Sequence, residues 1–553
     1  MVFYPPRSFP PLPSVPDSIP ISEFMLDERY GRSALSTSLN PFTCGLSGRT
    51  HSWLEVLERV DYLARGIARE LAWQPNKGTE WDKVVGCFLL NTIDTIALFW
   101  AIHRLSGIAF PANAAYSAQE LAYQLKDSGA KALFTCLPVL NTSLETAELA
   151  GIPRNHVYLV DLPSQVTGNA TAPAHFKTLE QLIKHGRSLP PLEAVKWSPG
   201  QGARTTAFLC YSSGTSGLPK GVMISHHNII ANILQINLFE KPSRDHLRAK
   251  DPSIGEFEVS LGLLPQSHIY SLVYICHAGP YRGDEVVILP KFEINSCFGA
   301  IQRFKIAALI IVPPIIITML RNQELLKKFD LSSVRSVFTG AAPLGPETAQ
   351  ELQNIFPTWA IRQGYGLTET AVIVCATTPL DIWFGSCGNL LPGVEARILT
   401  PEGQEIHEHD TPGQLVENFE DGWMHTGDEA MIRVGPNNTE HVWILDRIKE
   451  LIKVKGLQVA PAELETHLLE HPMVADCAVI GIPDEAAGEI PKAFVVKAPE
   501  TSGHNDTSVA QDIKKHVEDH KARHKWLKGG IEIIDVIPKS PSGKILRRLL
   551  RDK

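Results

Sequence analysis

The chain has 553 residues, 44% of them hydrophobic and 20% charged, with a formal net charge of −8. That length exceeds one ordinary core and implies at least two domains. The composition is that of a globular chain, and the acidic balance argues against a nucleic-acid surface.

Residues 1–22 are rich in proline and read as an extended arm over the surface. Leu54, Val56, Leu57 and Val60 recur at helical spacing and predict an amphipathic helix over 51–74. A buried strand follows at 84–90 and a helix at 92–105. Short apolar strands recur at 131–135, 157–160, 205–210, 285–289, 307–312 and 336–339, with a helix at 228–238. This alternation predicts an α/β fold of layered, mostly parallel sheets. The most apolar run, 306–320, is broken by Pro313 and Pro314. It reads as a strand and the helix after it, since stable insertion in a membrane needs about 20 apolar residues. Strands at 430–434 and 441–445 flank Gly-Pro-Asn-Asn, a hairpin signal. A charged stretch then leads to a helix at 461–470 with proline at its first position, strands near 474–480 and 493–497, and a helix from Ser508. A domain boundary is expected at the start of the charged stretch, giving units 1–446 and 447–553.

The nine cysteines show no C-x-x-C pair, which points to reduced thiols and an intracellular, cytoplasmic setting. The opening Met-Val-Phe-Tyr-Pro-Pro is no secretory signal, and the final Arg-Asp-Lys is not the Ser-Lys-Leu peroxisomal address.

Five strings carry chemistry. The first runs from Tyr211 to Gly221 and holds Ser212, Ser213, Gly214, Thr215, Ser216, Gly217 and Lys220. Glycines let backbone N–H groups approach an anion, hydroxyls add donors and lysine adds charge, which together make a polyphosphate cradle. It is not the Walker loop, because Leu-Pro separates Gly217 from Lys220 and glycine follows the lysine. The second, Gln363-Gly-Tyr-Gly-Leu-Thr-Glu-Thr, offers the ring of Tyr365 to a purine, the hydroxyl of Thr368 to a phosphate, and the carboxylate of Glu369 to Mg²⁺, a cation that prefers hard oxygen. The third ends in Thr-Gly-Asp428, whose carboxylate can accept both hydroxyls of a ribose. The fourth is Asp446-Arg-Ile-Lys-Glu-Leu-Ile-Lys-Val-Lys-Gly-Leu-Gln, rich in groups that contact anions. The fifth is Pro538-Lys-Ser-Pro-Ser-Gly-Lys544, where a tight turn projects the lysine. Singly, each is compatible with an ordinary turn or a solvated charge run.

Together and in this order, the strings resemble those of the acyl-adenylate-forming family, which includes acyl-CoA synthetases, peptide-synthetase adenylation domains and beetle luciferases. The likeness is strongest to 4-coumarate–CoA ligase and related acyl-CoA synthetases. It implies a large N-terminal domain of layered sheets and helices with a small β-barrel-like subdomain at about 380–446. A small, mobile α+β C-terminal domain would follow, with a hinge near Lys449. It implies two steps: a carboxylic acid and ATP give acyl-AMP and pyrophosphate, then CoA takes the acyl group and AMP leaves.

By position in the family pattern, residues 212–217 and Lys220 would hold the ATP phosphates. Gln363, Gly364, Tyr365 and Thr368 would hold the adenylate, and Glu369 the Mg²⁺. Asp428 and Arg447 would fix the ribose, and Lys453 and Gln458 would touch the adenylate. Lys291, Lys455 and Gly456 would meet CoA. His268, Ile269, Tyr270, Tyr274, Gly340, Ala341, Gly364 and Val372 would line the acyl pocket, with His268 as its gate and Lys544 as the catalytic lysine. An amide-forming synthetase and a luciferase-like oxygenase share these strings. A non-catalytic nucleotide binder is the distant alternative. Family members usually have a longer loop before the third string; here residues 413–420 run straight into it.

Overall fold

The computed structural model describes residues 1–551 except 169, 213–218, 420–421, 456, 485–486, 502 and 540–542. Two sheets of parallel strands form the body. One has six strands in the order Val157–Leu159, Ala132–Thr135, Val84–Leu89, Ile108–Asn113, Thr206–Ser212 and Lys220–Ser225, the last pair antiparallel. The other has nine strands, with Ala360–Tyr365, Ser336–Thr339, Ala308–Ile311, Val259–Gly262 and Glu285–Ile288 parallel at its centre. Strands this apolar, buried on both faces, are what helix-covered parallel sheets require.

The helices between the sheets supply the main core. Thr95–His103 is buried along its whole length, and Trp100, Phe99 and Phe208 pack there with Ile229, Ile230 and Ile233. A polar thread crosses this core: the Trp100 indole donates to His277 at 3.0 Å, and burial holds the His277 imidazole down at about 4, so it stays a neutral acceptor. Buried polar groups of this kind must find partners.

A four-stranded antiparallel sheet follows, in the open order Ala396–Leu399, Gly413–Phe419, Gly422–Val434, Glu440–Arg447. Phe419 pairs with Gly422, so the strand Gly413–Phe419 lies antiparallel to the one that carries the third string. The last strand ends at Arg447 and a new sheet begins at Ile452–Val454. That sheet joins Leu457–Val459, Gly488–Lys497, Val474–Asp484 and Ile531–Ile533, with the helices Pro461–Leu469 and Asp506–His520 packed on it around a separate core. Among the described residues, no helix is long and apolar enough to cross a membrane.

Two elements depart from the sequence reading. The helix after the first string runs His226–Lys250, through Pro242, instead of stopping near 238. A proline inside a helix costs stability, but Arg244 beyond it is held by Asp284 at 2.9 Å and Glu258 at 3.2 Å, which fixes the second half. Tyr270–Ala278 winds as a wide π-helix, a form frequent at functional sites and without a sequence period of its own.

Candidate active site

A cleft of about 920 Å³ opens between the body and the C-terminal unit, and all five strings reach it. The first arrives on a hairpin: Tyr211 pairs with Gly221 and Ser212 with Lys220. Tyr211 and Lys220 line the cleft. The Tyr211 hydroxyl donates to Asp127 at 2.6 Å, and a Cβ on Gly221 would sit 3.1 Å from the Tyr211 ring, a tight contact that glycine avoids. Ser213, Gly214, Thr215, Ser216 and Gly217 lie outside the described residues, as does the side chain of Ser212.

The second string leaves the end of the strand Ala360–Tyr365 and turns at once. A Cβ on Gly366 would fall 1.4 Å from the carbonyl oxygen of Val372, so this turn admits no other residue. Within the turn, Ala371 has φ of 56° and Val372 a φ of 132°. A β-branched residue there is a strained outlier, and such strain gathers at functional sites. The turn presents Tyr365, Thr368, Glu369 and Val372 to the cleft.

Sheet pairing brings the third and fourth strings together. Asp428 and Arg447 are register partners on neighbouring strands, with Arg447 Nε 3.7 Å from Asp428 Oδ1. The Tyr365 hydroxyl donates to Asp428 Oδ2 at 2.6 Å, tying in the second string. Burial raises the Asp428 pKa, while the Tyr365 hydrogen bond and the charges of Arg447 and Lys544 pull the other way. Beside it, burial and Asp428 push Glu417 up to about 8, and its Oε1 has no partner among the described residues. A neutral, protonated Glu417 follows at pH 7. Nothing in the sequence marked Glu417, which sits mid-strand between Val416 and Asn418.

Lys544 enters from the opposite side. Burial, then the charge of Arg447, lowers its pKa to about 8, against Glu450, Asp428 and Glu369. A buried cluster holds its segment: Arg547 donates to Glu450 at 2.6 Å and to both oxygens of Glu465 at 2.8 Å. Lys544 in turn faces His268, whose pKa falls to about 4 through burial and the lysine charge. His268 is therefore a neutral imidazole at pH 7, and its Nδ1 accepts from the Tyr270 N–H at 3.3 Å.

The apolar end of the cleft is lined by His268, Ile269, Tyr270, Phe338, Gly340, Ala341, Gly364 and Val372. Tyr274 does not line it. Its ring stacks behind Phe338 at 4.7 Å, and its hydroxyl donates to Glu240 at 3.0 Å, which pairs with Arg362 at 2.6 Å. The π-helix turns Tyr270 inward and Tyr274 backward, so Tyr274 braces the floor. Gln363 also points elsewhere: its Oε1 accepts from the Leu344 N–H at 3.0 Å. Lys291, Lys453 and Lys455 are exposed and off the cleft; Gly456 and the side chain of Gln458 are outside the described set. Lys449 lines the cleft in the turn between the last body strand and the first strand of the C-terminal unit. Tyr116 lines it too and was not singled out in the sequence; Lys539 and Leu546, on either side of Lys544, also line it.

Known proteins resemble this chain over its full length. The model of the AMP-binding enzyme family matches residues 31–417, and that of the AMP-binding enzyme C-terminal domain matches 463–544. The chain is 37% identical over 572 residues to acyl-CoA ligase easD of Emericella nidulans, with 100% of each chain covered. It is 38% identical over 589 residues to acyl-CoA ligase cm3C of Cordyceps militaris, covering 100% of this chain and 90% of that one. Among solved structures, the anthranilate CoA ligase AuaEII in complex with anthranoyl-AMP superposes with a TM-score of 0.77 at 21% identity, over 97% of this chain and 98% of the other. ATP-bound MatB from Rhodopseudomonas palustris gives 0.75 at 22% identity, over 97% and 98%.

Proposed function

The chain belongs to the AMP-binding enzyme family and is an AMP-forming acid–CoA ligase, and from that premise we propose how its residues divide the two half-reactions. The observation that carries the reading is that Lys544 of the C-terminal unit shares one cleft with Lys220, Glu369, Asp428 and His268 of the body, while Lys453 and Lys455 face away. This is the arrangement for adenylation.

A carboxylate and the α-phosphate of ATP repel each other. Lys220 and the loop at 212–217 hold the phosphates, and Thr368 adds a hydroxyl. Asp428 and Arg447 take the ribose, with Tyr365 fixed beside it by its hydrogen bond to Asp428. The Lys544 ammonium binds the attacking carboxylate and the charge that develops as the acyl–phosphate bond forms and pyrophosphate leaves. Glu369, exposed at the cleft's polar end, is a donor of the hard-oxygen type suited to Mg²⁺, which when bound supplies charge neutralisation of the phosphates.

The C-terminal unit then turns about Lys449. Lys544 leaves, and the 453–458 hairpin enters, with Lys453 and Gln458 toward the adenylate and Lys455, Gly456 and Lys291 toward CoA. The CoA sulfur attacks the acyl carbon and AMP departs. Such alternation lets one cleft serve two steps. Nine buried, unpaired cysteines support a reducing, cytoplasmic setting for this chemistry.

Tyr270 and Phe338, braced by Tyr274, close the acyl end, which favours a short-to-medium aliphatic or compact aromatic acid. ATP–pyrophosphate exchange across acids of graded size tests this. Exchange should peak with compact acids and fall with long chains; exchange with no carboxylic acid would overturn the reading.

A further inference from the structure

The helices Pro461–Leu469 and Asp506–His520 pack together in the C-terminal unit, and neither lines the cleft. His516 and His520 lie one turn apart on the second helix, so both project from one face. His467 faces them from the first helix, its ring stacked on that of His516 at 4.2 Å and 5.4 Å from that of His520. One nitrogen from each of the three imidazoles lies within 4.8 Å of the other two. From this geometry we propose that His467, His516 and His520 form a binding site for a zinc-class divalent transition metal.

The hydrogen bonding already leaves a ligand nitrogen on each ring. His467 Nδ1 donates to Glu470 Oε2 at 2.9 Å, the carboxylate–histidine arrangement that fixes the tautomer and aims Nε2 at a metal. That Nε2 is 3.4 Å from the His516 carbonyl oxygen, too long for a strong hydrogen bond. His520 Nδ1 donates to the same carbonyl at 2.8 Å, which makes its Nε2 the lone-pair nitrogen. His516 Nε2 is buried without a hydrogen-bond partner among the described residues. An unpartnered nitrogen there is costly unless something else occupies it.

Zinc–nitrogen bonds of about 2.0–2.1 Å require the three nitrogens to draw closer than they stand, a rotation of exposed His520 and half-buried His516. His520 opens to solvent, leaving a fourth position for water, and His471 with Asp512 borders the cluster, 3.7 Å apart. The nine cysteines are all buried, so no exposed thiolate competes. A bound ion would staple the two helices and stabilise the C-terminal unit by mass action.

Titration of the full-length protein with Zn²⁺ against a chromophoric chelator tests the assignment, with Co²⁺ absorption as a second probe of tetrahedral geometry. The wild type should bind one Zn²⁺ tightly and show the visible Co²⁺ band. His516→Ala should weaken binding by at least tenfold. So should His520→Gln, an exposed substitution whose zinc-free ligase activity and melting temperature should match the wild type. His407→Ala, on an exposed residue of the body, should change nothing. Zinc affinity equal in the wild type and His520→Gln, or no binding by the wild type, would overturn the proposal.

Discussion

The two sides of the cleft are built differently. The acyl side belongs to the body and is packed solid: the rings of Tyr270, Tyr274 and Phe338 touch one another, with the Arg362–Glu240 pair against them. The opposite side belongs to the C-terminal unit and rests on a few polar contacts. Arg321 donates to the carbonyls of Val474 and Ala475 at 2.6 and 2.5 Å, and the Ala462 N–H donates to Asp446 at 3.1 Å. A dense aromatic floor resists displacement. A wall held by isolated hydrogen bonds, each of modest net worth, separates at little cost. The contrast suggests that specificity is fixed in the floor while the step being catalysed is chosen by the wall.

The largest effect that would sharpen the contrast comes from Lys544→Ala. Pyrophosphate exchange should fall by about 10³-fold, the scale of losing one group aimed at developing charge, with acid binding to the floor unchanged. Lys449→Pro attacks the wall's motion. It should leave exchange near normal and reduce thioester production about 10²-fold, as expected of misplaced reacting groups; an unchanged overall rate removes the hinge role.

Arg547→Met strips the charge that pairs Glu450 and Glu465. Leaving two buried carboxylates unpaired should destabilise the C-terminal unit by about 3–5 kcal/mol, read as an early unfolding transition in denaturant, and Glu465→Gln in the same chain should restore part of it. Acidity offers a milder handle. With its pKa lowered to about 8, Lys544 loses its proton as pH rises through that value. Exchange should then decline about tenfold per pH unit, while thioester formation from supplied acyl-AMP should lack this limb. Arg321→Ala should have the smallest effect, lowering exchange a few-fold by loosening the wall, visible in single-turnover rates.

Much of this was legible in the sequence. Alternating apolar runs announced the parallel sheets within a few residues, because buried strands leave little choice of residue type. The strings placed Lys220, Tyr365, Glu369, Asp428, Arg447 and Lys544 around one cleft, which the structure assembles. What remained hidden depended on direction. Gln363 opens the second string and Tyr274 was expected in the acyl pocket from the family pattern, but the Leu344 loop and a π-helix turn their side chains from the cleft. Pro242 reads locally as a helix end, and only distant Asp284 and Glu258 overrule it. Glu417 is one carboxylate in a strand of mixed polarity, and its burial beside Asp428 exists only after pairing. The histidine cluster is spread over His467, His516 and His520, and no local period joins the two helices.

The exchange of walls is tested most directly by the ratio of the two half-reactions. Acyl-adenylate formation and thioester formation from supplied acyl-AMP should be measured side by side in Lys544→Ala and Lys449→Pro. The account predicts that the ratio of the first to the second falls at least tenfold in Lys544→Ala and rises at least tenfold in Lys449→Pro. Both half-reactions changing in parallel in the two variants would contradict it.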